Sequence, residues 1–355
     1  MALHFHKLTV KDIKRETADC ISIAFDVPRE LQKEFQFVAG QNITIKTDLD
    51  DTRRSYSICS SPSEGELRVA VKKVANGVFS SFANEKLKKG DLLEVMSPTG
   101  TFTSAISPKN KKEYAFFAAG SGITPVISII KAILNGEPES RVTLVYGNKN
   151  TSSIIFKEEL EALKDKHLET FRMYHILSRE KTDIDFNNGR IDVDKCHQLS
   201  RLIDFKSVDD FFICGPEQMI FTVKDFLKGW GIDSKQIHFE LFTTPTRKHT
   251  QIYTAVNETA RDGSVITVKL DGRSFDFNLD YNGNTILDAA LAEGADAPFA
   301  CKGGVCCTCK AKLVEGEVEM ESNYGLDKSE VKAGFILTCQ SHPRTKKVVV
   351  DYDEA

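Results

Sequence analysis

Hydrophobic residues follow one rhythm in the first third of the chain. Up to about residue 108, short apolar runs recur between turn residues, and alternation is visible at Ile43, Ile45 and Thr47. This spacing is typical of short antiparallel strands in a small barrel. The six predicted strands are Phe5–Val10, Cys20–Asp26, Gln41–Thr47, Arg54–Ser60, Glu66–Val71 and Leu92–Met96.

The rhythm changes between residues 109 and 242. Tyr114–Ala119 is an uninterrupted apolar run, as in strands buried on both faces of a parallel sheet, and a helical pattern follows it through Leu134. Alternation of strands and helices predicts a doubly wound parallel sheet. The remaining predicted elements are the strands Arg141–Tyr146, Phe171–Leu177 and Asp210–Cys214, the helix Ser152–Lys166, and a helix after Pro216 that runs through Gly229.

The length of the chain sets the number of domains. At 355 residues it is too long for one ordinary core, and a polar stretch without clear periodicity follows the second region. We therefore predict a multi-domain protein with two folded domains before a linker and a third domain after it. The predicted boundaries are 1–108, 109–242, 243–262 for the linker, and 263–355.

Composition excludes several classes of partner. A net charge of −4 with 28% charged residues does not suit a nucleic-acid-binding protein. The most apolar stretch, Tyr114–Leu134, is interrupted by two glycines, a proline and Lys131, so it does not predict a membrane span. Met1–Cys20 carries charges throughout and has no apolar run of signal-peptide length. We expect a cytoplasmic protein with neither a membrane nor a nucleic-acid partner.

Cysteine spacing gives the strongest chemical signal. Five of the nine cysteines lie between positions 301 and 339. Cys301, Cys306 and Cys309 form a C-x₄-C-x₂-C pattern, and Cys339 follows after 29 residues, which is the plant-type [2Fe–2S] arrangement. A four-cysteine zinc site is the alternative, although structural zinc favours paired short knuckles. Cys307 fits neither spacing, and we interpret it as a residue that packs under the loop.

A flavin is indicated by two segments of the first domain. In Arg54-Ser55-Tyr56-Ser57, an arginine can bind a pyrophosphate, an aromatic ring can stack on the flavin, and the Ser57 hydroxyl can reach its N5 edge if the strand ends there. Gly77-Val78-Phe79-Ser80 can begin a helix whose free N–H groups receive phosphate, and the alternative is a plain turn.

A nicotinamide coenzyme is indicated in the second domain. Gly120 and Gly122 lie between a buried strand and a helix, with Pro125 where a third glycine would complete the dinucleotide fingerprint. Cys214-Gly215-Pro216 follows another buried strand, and both segments lie at carboxyl ends of strands, where ligands bind such sheets. Lys149 with Ser178-Arg179 favours NADPH over NADH, because cations suit a 2′-phosphate; the alternative is that both charges are simply solvated.

The order of these motifs resembles a known family. The chain is similar to ferredoxin-NADP reductase-type flavoproteins fused to a C-terminal plant-type ferredoxin, and within them to the reductases of phenylacetyl-CoA epoxidases. The resemblance covers nearly the whole chain. The residues that carry it are Arg54–Ile58 with Arg53, Gly120–Pro125, Phe212–Pro216, His238–Phe242, the doubled Cys306-Cys307 within Cys301–Cys309, and Gly334–Cys339.

The resemblance implies a fold, cofactors and site residues. It implies a barrel that binds FAD, an α+β ferredoxin domain of the β-grasp type, and electron delivery from NADPH or NADH through FAD and a [2Fe–2S] cluster. The implied acceptor is an oxygenase component, most specifically a phenylacetyl-CoA epoxidase; an aromatic-ring dioxygenase or another monooxygenase is the alternative. Implied catalytic residues are Ser57, Cys214 and Glu240; implied binding residues, besides the motifs above, are Val71, Lys73, Thr124 and Phe242.

Two alternatives remain open from the residues themselves. The first alternative to a reductase is a non-catalytic redox-sensing or zinc-binding module. A reductase needs a flavin between its coenzyme and its cluster, because a hydride carries two electrons and a [2Fe–2S] cluster accepts one. Glu315, Glu317, Glu319 and Glu321 alternate after the cluster loop. In a single strand they would share one face and could dock a basic acceptor, whereas a turn at Gly316 would divide them and leave a solvated edge.

Overall fold

An antiparallel barrel opens the chain. The computed structural model describes residues 4–47, 53–242 and 263–355. Six strands occur in the order β4-β3-β6-β1-β2-β5, and a bridge between Ile58 and Val69 brings the two edges together. The elements are β1 (Phe5–Thr17), β2 (Cys20–Asp26), β3 (Asn42–Lys46), β4 (Arg53–Ser57), β5 (Leu67–Lys72), α1 (Val78–Glu85) and β6 (Leu92–Thr99).

Alternation along β3 explains how this barrel is filled. Ile43 and Ile45 are fully buried in the barrel core, and Thr44 between them points to the other side. Thr44 is nevertheless only 1% exposed, because the third domain covers it. The outside of the barrel near β3 and β4 is therefore a contact surface.

A parallel five-stranded sheet follows. Its order is β11-β10-β7-β8-β9, so the chain reverses direction across the sheet between β7 and β10. The apolar run in β7 predicted its central position, where both faces are covered. The elements are β7 (Glu113–Ala119), α2 (Ile123–Gly136), β8 (Arg141–Asn148), α3 (Lys157–Lys166), β9 (Phe171–Leu177), α4 (Val193–Leu199), β10 (Asp210–Cys214), α5 (Glu217–Gly229) and β11 (Ile237–Glu240).

The last domain has a mixed sheet in the order β13-β12-β18-β14-β16, and β12 pairs with β18 in parallel. Its apolar core includes the first helix of the domain and lies within the domain. This is the β-grasp arrangement. The elements are β12 (Gly263–Leu270), β13 (Arg273–Asp280), α6 (Ile286–Ala292), β14 (Lys310–Glu315), β15 (Val318–Met320), α7 (Lys328–Lys332), β16 (Phe335–Leu337), β17 (Ser341–Pro343) and β18 (Lys347–Asp351).

The predicted fold class is confirmed, with local corrections. The helix predicted to begin at Ser152 begins at Lys157, because a 3₁₀ turn and a left-handed Phe156 (φ 59°) precede it. Helix α4 and strand β11 were not predicted. The domain boundaries stay predictions, and the predicted linker 243–262 lies outside the described residues. Within the described ranges, no helix combines the length and apolar character needed to cross a membrane.

Candidate functional site

Strand β4 presents different residues to its two sides. Arg54 and Tyr56 lie on one side, and Ser55 and Ser57 lie on the other with Arg53. The Arg54 side chain is exposed, and its Nη1 donates to the Arg53 carbonyl at 2.8 Å. The Tyr56 ring packs 5.4 Å from the Phe79 ring at the start of α1. A guanidinium and an aromatic ring therefore lie on the same side, as a flavin dinucleotide requires.

The start of α1 is shaped for close approach by a ligand. A Cβ on Gly77 would lie 2.3 Å from Ser80 Oγ and 2.5 Å from a Val74 methyl carbon, so a side chain would fill the turn. Ser80 Oγ accepts a hydrogen bond from the Val74 N–H at 3.2 Å, which fixes that turn. Val78 is exposed and Phe79 is buried. Because the first N–H groups of a helix lack intrahelical acceptors, this cradle fits a phosphate.

Two other predicted flavin residues are already engaged within the domain. The Val71 side chain is fully buried in the barrel core, and its carbonyl accepts from Asn84 Nδ2 at 3.0 Å. Lys73 Nζ lies 2.6 Å from a Glu85 carboxylate oxygen. Both residues lie just before the turn that leads into α1.

Three residues predicted to be catalytic meet where the first two domains join. Ser57 Oγ donates to Glu240 Oε2 at 3.1 Å, and the register of β10 with β11 places Cys214 beside Glu240. Burial raises the pKa of Glu240 to about 7, against a smaller lowering by the Ser57 hydrogen bond. Burial also raises the pKa of Cys214 far above its usual range, and the neighbouring Glu240 charge adds to this. The thiol is therefore neutral, whereas the carboxyl group changes charge near neutral pH.

The β7–α2 turn is held against this joint by two glycines with different roles. Gly120 has a left-handed φ of 55°, which favours glycine. A Cβ on Gly122 would lie 2.1 Å from the Cys214 carbonyl oxygen, so Gly122 permits contact with the end of β10. The sequence assigned Gly122 to the coenzyme pyrophosphate, and the structure adds this packing requirement.

The first turn of α2 contains the other predicted residues of this motif. Thr124 Oγ1 donates to the Ser121 carbonyl at 3.0 Å, and Thr124 is buried. Pro125 lies in the same turn, where a missing N–H removes no intrahelical hydrogen bond. The fold thus accommodates proline where the dinucleotide fingerprint has glycine.

A cavity of about 730 Å³ opens at the carboxyl ends of β7, β8 and β10. This volume suits a cofactor or substrate. Six of the predicted residues line it: Gly120, Lys149, Ser178, Gly215, Pro216 and Phe242.

Charged residues around this cavity differ from the prediction. Among the residues described along it, Arg190 and Lys72 are present, whereas Arg179 is not. Arg190 follows Gly189 after a short 3₁₀ segment, in a loop without a recognisable sequence signal. Asp192 is the acidic residue described there, and its carboxylate accepts from the Lys195 N–H at 2.9 Å to cap α4. The cavity therefore has a cationic rim.

The four predicted cluster cysteines converge. Cys306 Sγ lies 3.2 Å from Cys301 Sγ, and the Gly303 N–H donates to Cys301 Sγ at 3.3 Å. Cys339 contacts both Cys301 and Cys309. Hydrogen bonds from Cys306 and then from Cys339 lower the pKa of Cys301, and the hydrogen bond from Cys339 lowers the pKa of Cys309. The described residues include no group of three His, Cys, Asp or Glu side chains spaced for a single metal ion; these thiols contact one another in pairs. A donor set of four convergent sulfurs fits an iron–sulfur cluster.

Two further residues of the cluster loop, Gly304 and Cys307, are explained by their contacts. Gly304 has φ 71°, and a Cβ there would lie 2.7 Å from the Ser322 carbonyl oxygen. Cys307 is buried, and its Sγ donates to the Gly325 carbonyl at 2.9 Å. Burial raises the pKa of Cys307 to about 12. The structure thus gives Cys307 a packing contact beside the sulfur group.

The glutamates after the cluster loop do not form one face. Strand β14 ends at Glu315, Gly316 turns with φ 87°, and β15 begins at Val318. The single-strand alternative is therefore wrong. Three of the glutamates are paired with basic residues: Glu315 with Lys347 at 2.7 Å, Glu319 with Arg344 at 2.8 Å, and Glu321 with His342 at 3.0 Å.

Comparisons with known proteins agree with the three-domain structure. The oxidoreductase FAD-binding domain family matches residues 7–104, the oxidoreductase NAD-binding domain family matches residues 116–225, and the 2Fe-2S iron-sulfur cluster binding domain family matches residues 268–344. These matches assign FAD, a nicotinamide coenzyme and a [2Fe–2S] cluster to the three domains in that order.

Relatives match the whole chain. One of the subunits of the 1,2-phenylacetyl-CoA epoxidase of Escherichia coli (strain K12) is 45% identical over 98% of each chain. The ferredoxin reductase component of 3-ketosteroid-9-alpha-monooxygenase of Rhodococcus rhodochrous is 34% identical over 97% of this chain and 96% of its own. The solved structure of phthalate dioxygenase reductase shares the fold, with a TM-score of 0.58, 24% identity and 98% of each chain covered. The chain belongs to the family of oxidoreductases that join an FAD-binding, an NAD-binding and a [2Fe–2S] domain in one polypeptide.

Proposed function

We propose that this enzyme is the reductase component that delivers electrons from NADPH to a phenylacetyl-CoA 1,2-epoxidase. The observation that carries this proposal is 45% identity, over 98% of both chains, with the Escherichia coli epoxidase subunit. The identity to the ketosteroid monooxygenase component is 34%, so the epoxidase is the better supported acceptor.

The proposal assigns the cofactors to named residues. The side chains of Arg54 and Tyr56 would hold FAD, with the backbone of Ser55 and the Ser57 hydroxyl at the end of the strand, and the turn Gly77–Ser80 would receive its pyrophosphate. Cys301, Cys306, Cys309 and Cys339 would ligate the cluster. When bound, FAD takes up two electrons from a hydride and releases them singly, and the cluster supplies a one-electron outlet.

The protein's own contribution to hydride transfer is positioning and exclusion of water. Thr124 and Cys214 would flank the nicotinamide, since Cys214 ends β10 beside the cavity and its thiol stays neutral. The Ser57 hydroxyl donates to the Glu240 carboxylate, so each group fixes the other at the joint. Phe242 would cover the flavin side of the cavity, which it lines. No nucleophile or proton donor is required.

Coenzyme preference is part of the proposal. Lys149 and Ser178 line the cavity, and Arg190 adds a guanidinium that can bind a 2′-phosphate through two parallel donors. These cations support NADPH over NADH. Arg179 follows Ser178 in the sequence, and its positive charge keeps it a candidate for binding the 2′-phosphate.

We infer a cytoplasmic location from cysteine chemistry. All nine cysteines are free thiols in the structure. Free thiols are typical of a reducing compartment such as the cytoplasm.

Reconstitution tests the acceptor. The purified holoenzyme is mixed with NADPH and with either a phenylacetyl-CoA epoxidase or a ketosteroid monooxygenase, and coupled product formation is measured. We expect epoxide formation from phenylacetyl-CoA, with little coupling to the monooxygenase. Efficient coupling only to the monooxygenase would contradict the proposed acceptor, although the reductase class would stand.

A further inference from the structure

A buried arginine joins the flavin barrel to the ferredoxin domain. Arg53 begins β4 and is 5% exposed. Its Nη2 lies 3.1 Å from Asp296 Oδ1, and its Nη1 donates to the Ala297 carbonyl at 3.3 Å. The guanidinium also lies 4.1 Å from the centre of the Phe299 ring. A charged group is therefore removed from water at a junction between two domains, and these three partners lie in the other domain.

The contacts of Arg53 precede the cluster loop directly. Asp296, Ala297 and Phe299 belong to the segment that leads into Cys301, the first predicted ligand. A side chain that fixes this segment also fixes the start of the loop that carries three of the four sulfurs.

Two hydroxyl contacts support the same junction further along the loop. Thr44 Oγ1, on β3, lies 3.5 Å from Thr308 Oγ1, and Thr308 is the residue before Cys309. Thr101 Oγ1 donates to the Gly325 carbonyl at 3.3 Å, the same carbonyl that accepts from Cys307. The flavin barrel therefore contacts the loop before its first sulfur and beside its third.

Alternation along β4 connects this junction to the flavin motif. Arg53 and Arg54 are neighbours in sequence but lie on opposite sides of the strand. Ser55 lies on the Arg53 side, and its hydroxyl is 3.3 Å from the Thr44 hydroxyl. The strand that would hold the flavin with one side therefore holds the cluster loop with the other.

We propose that Arg53 is a positioning residue that docks the cluster loop against the flavin domain, and that it thereby controls the transfer of one electron from reduced FAD to the oxidised cluster. The proposal concerns electron transfer inside the chain, so it does not depend on which oxygenase accepts the electron. It gives the two arginines of the motif separate roles, with Arg54 toward the cofactor and Arg53 toward the domain that accepts its electrons.

The contacts of Arg53 are not equally important. The Asp296 side chain is 86% exposed, so solvent screens this ion pair. The buried contribution comes from the Ala297 carbonyl and the Phe299 ring, with the Phe5 ring 5.0 Å from the guanidinium on the barrel's own side. Lysine cannot reproduce a planar fork stacked on a ring. We expect loss of the guanidinium or the Phe299 ring to matter more than loss of the Asp296 charge.

Anaerobic stopped-flow reduction by NADPH tests the proposal in the full-length holoenzyme. Arg53→Met keeps most of the apolar stem and removes the guanidinium, Phe299→Leu removes the ring from the other domain, and Asp296→Asn removes the charge. Arg141→Met is the matched control, because Arg141 forms an exposed ion pair with Glu113 in the NAD-binding domain. Flavin content and the radius of gyration from small-angle scattering are measured on the same samples, so one readout does not depend on activity.

We expect flavin reduction at the wild-type rate in every variant. Cluster reduction should slow by about tenfold in Arg53→Met, which loses a buried hydrogen bond from a charged group, and by a similar factor in Phe299→Leu, which loses the desolvated cation–π contact. Asp296→Asn should slow it by less, and Arg141→Met should not change it. The radius of gyration should increase in the first two variants, and Arg53→Lys should recover only part of the rate.

Two results would overturn the proposal. Cluster reduction at the wild-type rate in Arg53→Met, with an unchanged radius of gyration, would show that Arg53 does not position the loop. Loss of flavin from Arg53→Met, while Phe299→Leu and Asp296→Asn behave as wild type, would assign Arg53 to cofactor binding instead.

Discussion

The flavin barrel joins its two neighbours in different ways. Toward the NAD-binding domain it shares one apolar core, in which Cys59, Ala70 and Phe102 of the barrel pack with residues of β7 and α2. Buried Ser128 of α2 donates to the Ser60 carbonyl at 2.6 Å across the same joint. Toward the ferredoxin domain, by contrast, the contacts described are hydrogen bonds, an ion pair and the stacking of Arg53 on the Phe299 ring, and the ferredoxin core is made of its own residues.

This difference matches the chemistry at each joint. Hydride transfer breaks and forms bonds, so its reacting atoms must be held in near-attack geometry by a rigid surround. Transfer of a single electron forms no bond, and a docked domain is sufficient. We call the interface of the barrel with the NAD-binding domain the first joint, and its interface with the ferredoxin domain the second joint. Damage to the first joint should lower both stability and the rate of flavin reduction. Damage to the second joint should slow only electron transfer to the cluster.

Removal of one cluster cysteine should separate flavin reduction from electron transfer through the cluster most completely. Cys339→Ser should abolish the cluster, because Cys339 contacts two of the other three cysteines and closes the sulfur group. Iron content and cytochrome c reduction should fall to background, whereas NADPH-driven flavin reduction should persist. Cys196→Ser, a buried thiol of the NAD-binding domain, is the control. Intact iron content in Cys339→Ser would remove Cys339 from the ligand set.

The first joint can be broken by a single methyl group. A Cβ in Gly122→Ala would meet the Cys214 carbonyl oxygen at 2.1 Å, and a backbone atom cannot move away cheaply. Overpacking of this kind costs about 1–3 kcal/mol, so the free energy of unfolding should fall by that amount and flavin reduction by NADPH should slow by about tenfold or more. Urea unfolding and stopped-flow absorbance measure the two effects.

Gly229→Ala is the matched control for this prediction. Gly229 lies at the end of α5 with open space around its Cβ position, so alanine should leave both measurements near wild type. If Gly122→Ala also behaved as wild type, the close contact between α2 and β10 would not be needed.

Sequence reasoning recovered the parts of the molecule that depend on local pattern. The alternation at Ile43 and Ile45 predicted an antiparallel sheet, and the apolar run Tyr114–Ala119 predicted a parallel one. A strand buried on one face alternates apolar and polar residues, whereas a strand buried on both faces is apolar throughout. The cysteine spacing likewise predicted that Cys301 and Cys339 lie close together, since one cluster needs all four thiolates.

Other features depend on contacts between distant segments, and the sequence carried no signal for them. Arg190 lies in a loop with no periodic pattern, so its place at the cavity was missed. Arg53 was seen only as a neighbour of Arg54, because its partners are more than 240 residues away. Gly316 was recognised as a turn or a strand residue, and only the observed φ of 87° decided between them.

Acidity provides a further probe of the first joint. The pKa of Glu240 rises from 4.5 to about 7 on burial, so the folded protein binds more protons than the unfolded chain between these values. The free energy of unfolding should therefore fall as pH increases through this window, by about 2 kcal/mol allowing for partial exposure, and Glu240→Gln should not show that fall. Urea titrations at about pH 5 and about pH 8 test it. Equal pH dependence in both proteins would mean that Glu240 is ionised throughout.

The cationic rim of the cavity should affect coenzyme choice without affecting either joint. Lys149→Met or Arg190→Met removes one cation beside the cavity, and we expect KM for NADPH to rise by about tenfold, equivalent to ~1.4 kcal/mol, with little change for NADH. Arg172→Met, an exposed arginine on β9, is the control. Steady-state reduction of ferricyanide with each coenzyme measures the effect, and equal changes for NADPH and NADH would show that these cations do not contact a 2′-phosphate.

The smallest effect should come from the glutamates after the cluster loop. Glu315 pairs with Lys347 and Glu319 with Arg344, and the Glu321 carboxylate lies 3.0 Å from His342 Nε2, so these carboxylates already have partners within the domain. Replacing all three with glutamine should change electron delivery to the oxygenase by less than about twofold, because exposed pairs contribute little, and should leave dye reduction unchanged. Glu139→Gln, from an exposed pair with Lys111 in the NAD-binding domain, is the control. A selective loss in the oxygenase assay would instead mean that these carboxylates exchange their internal partners for basic residues of the acceptor. Docking of the acceptor on this surface of the ferredoxin domain would then be electrostatic.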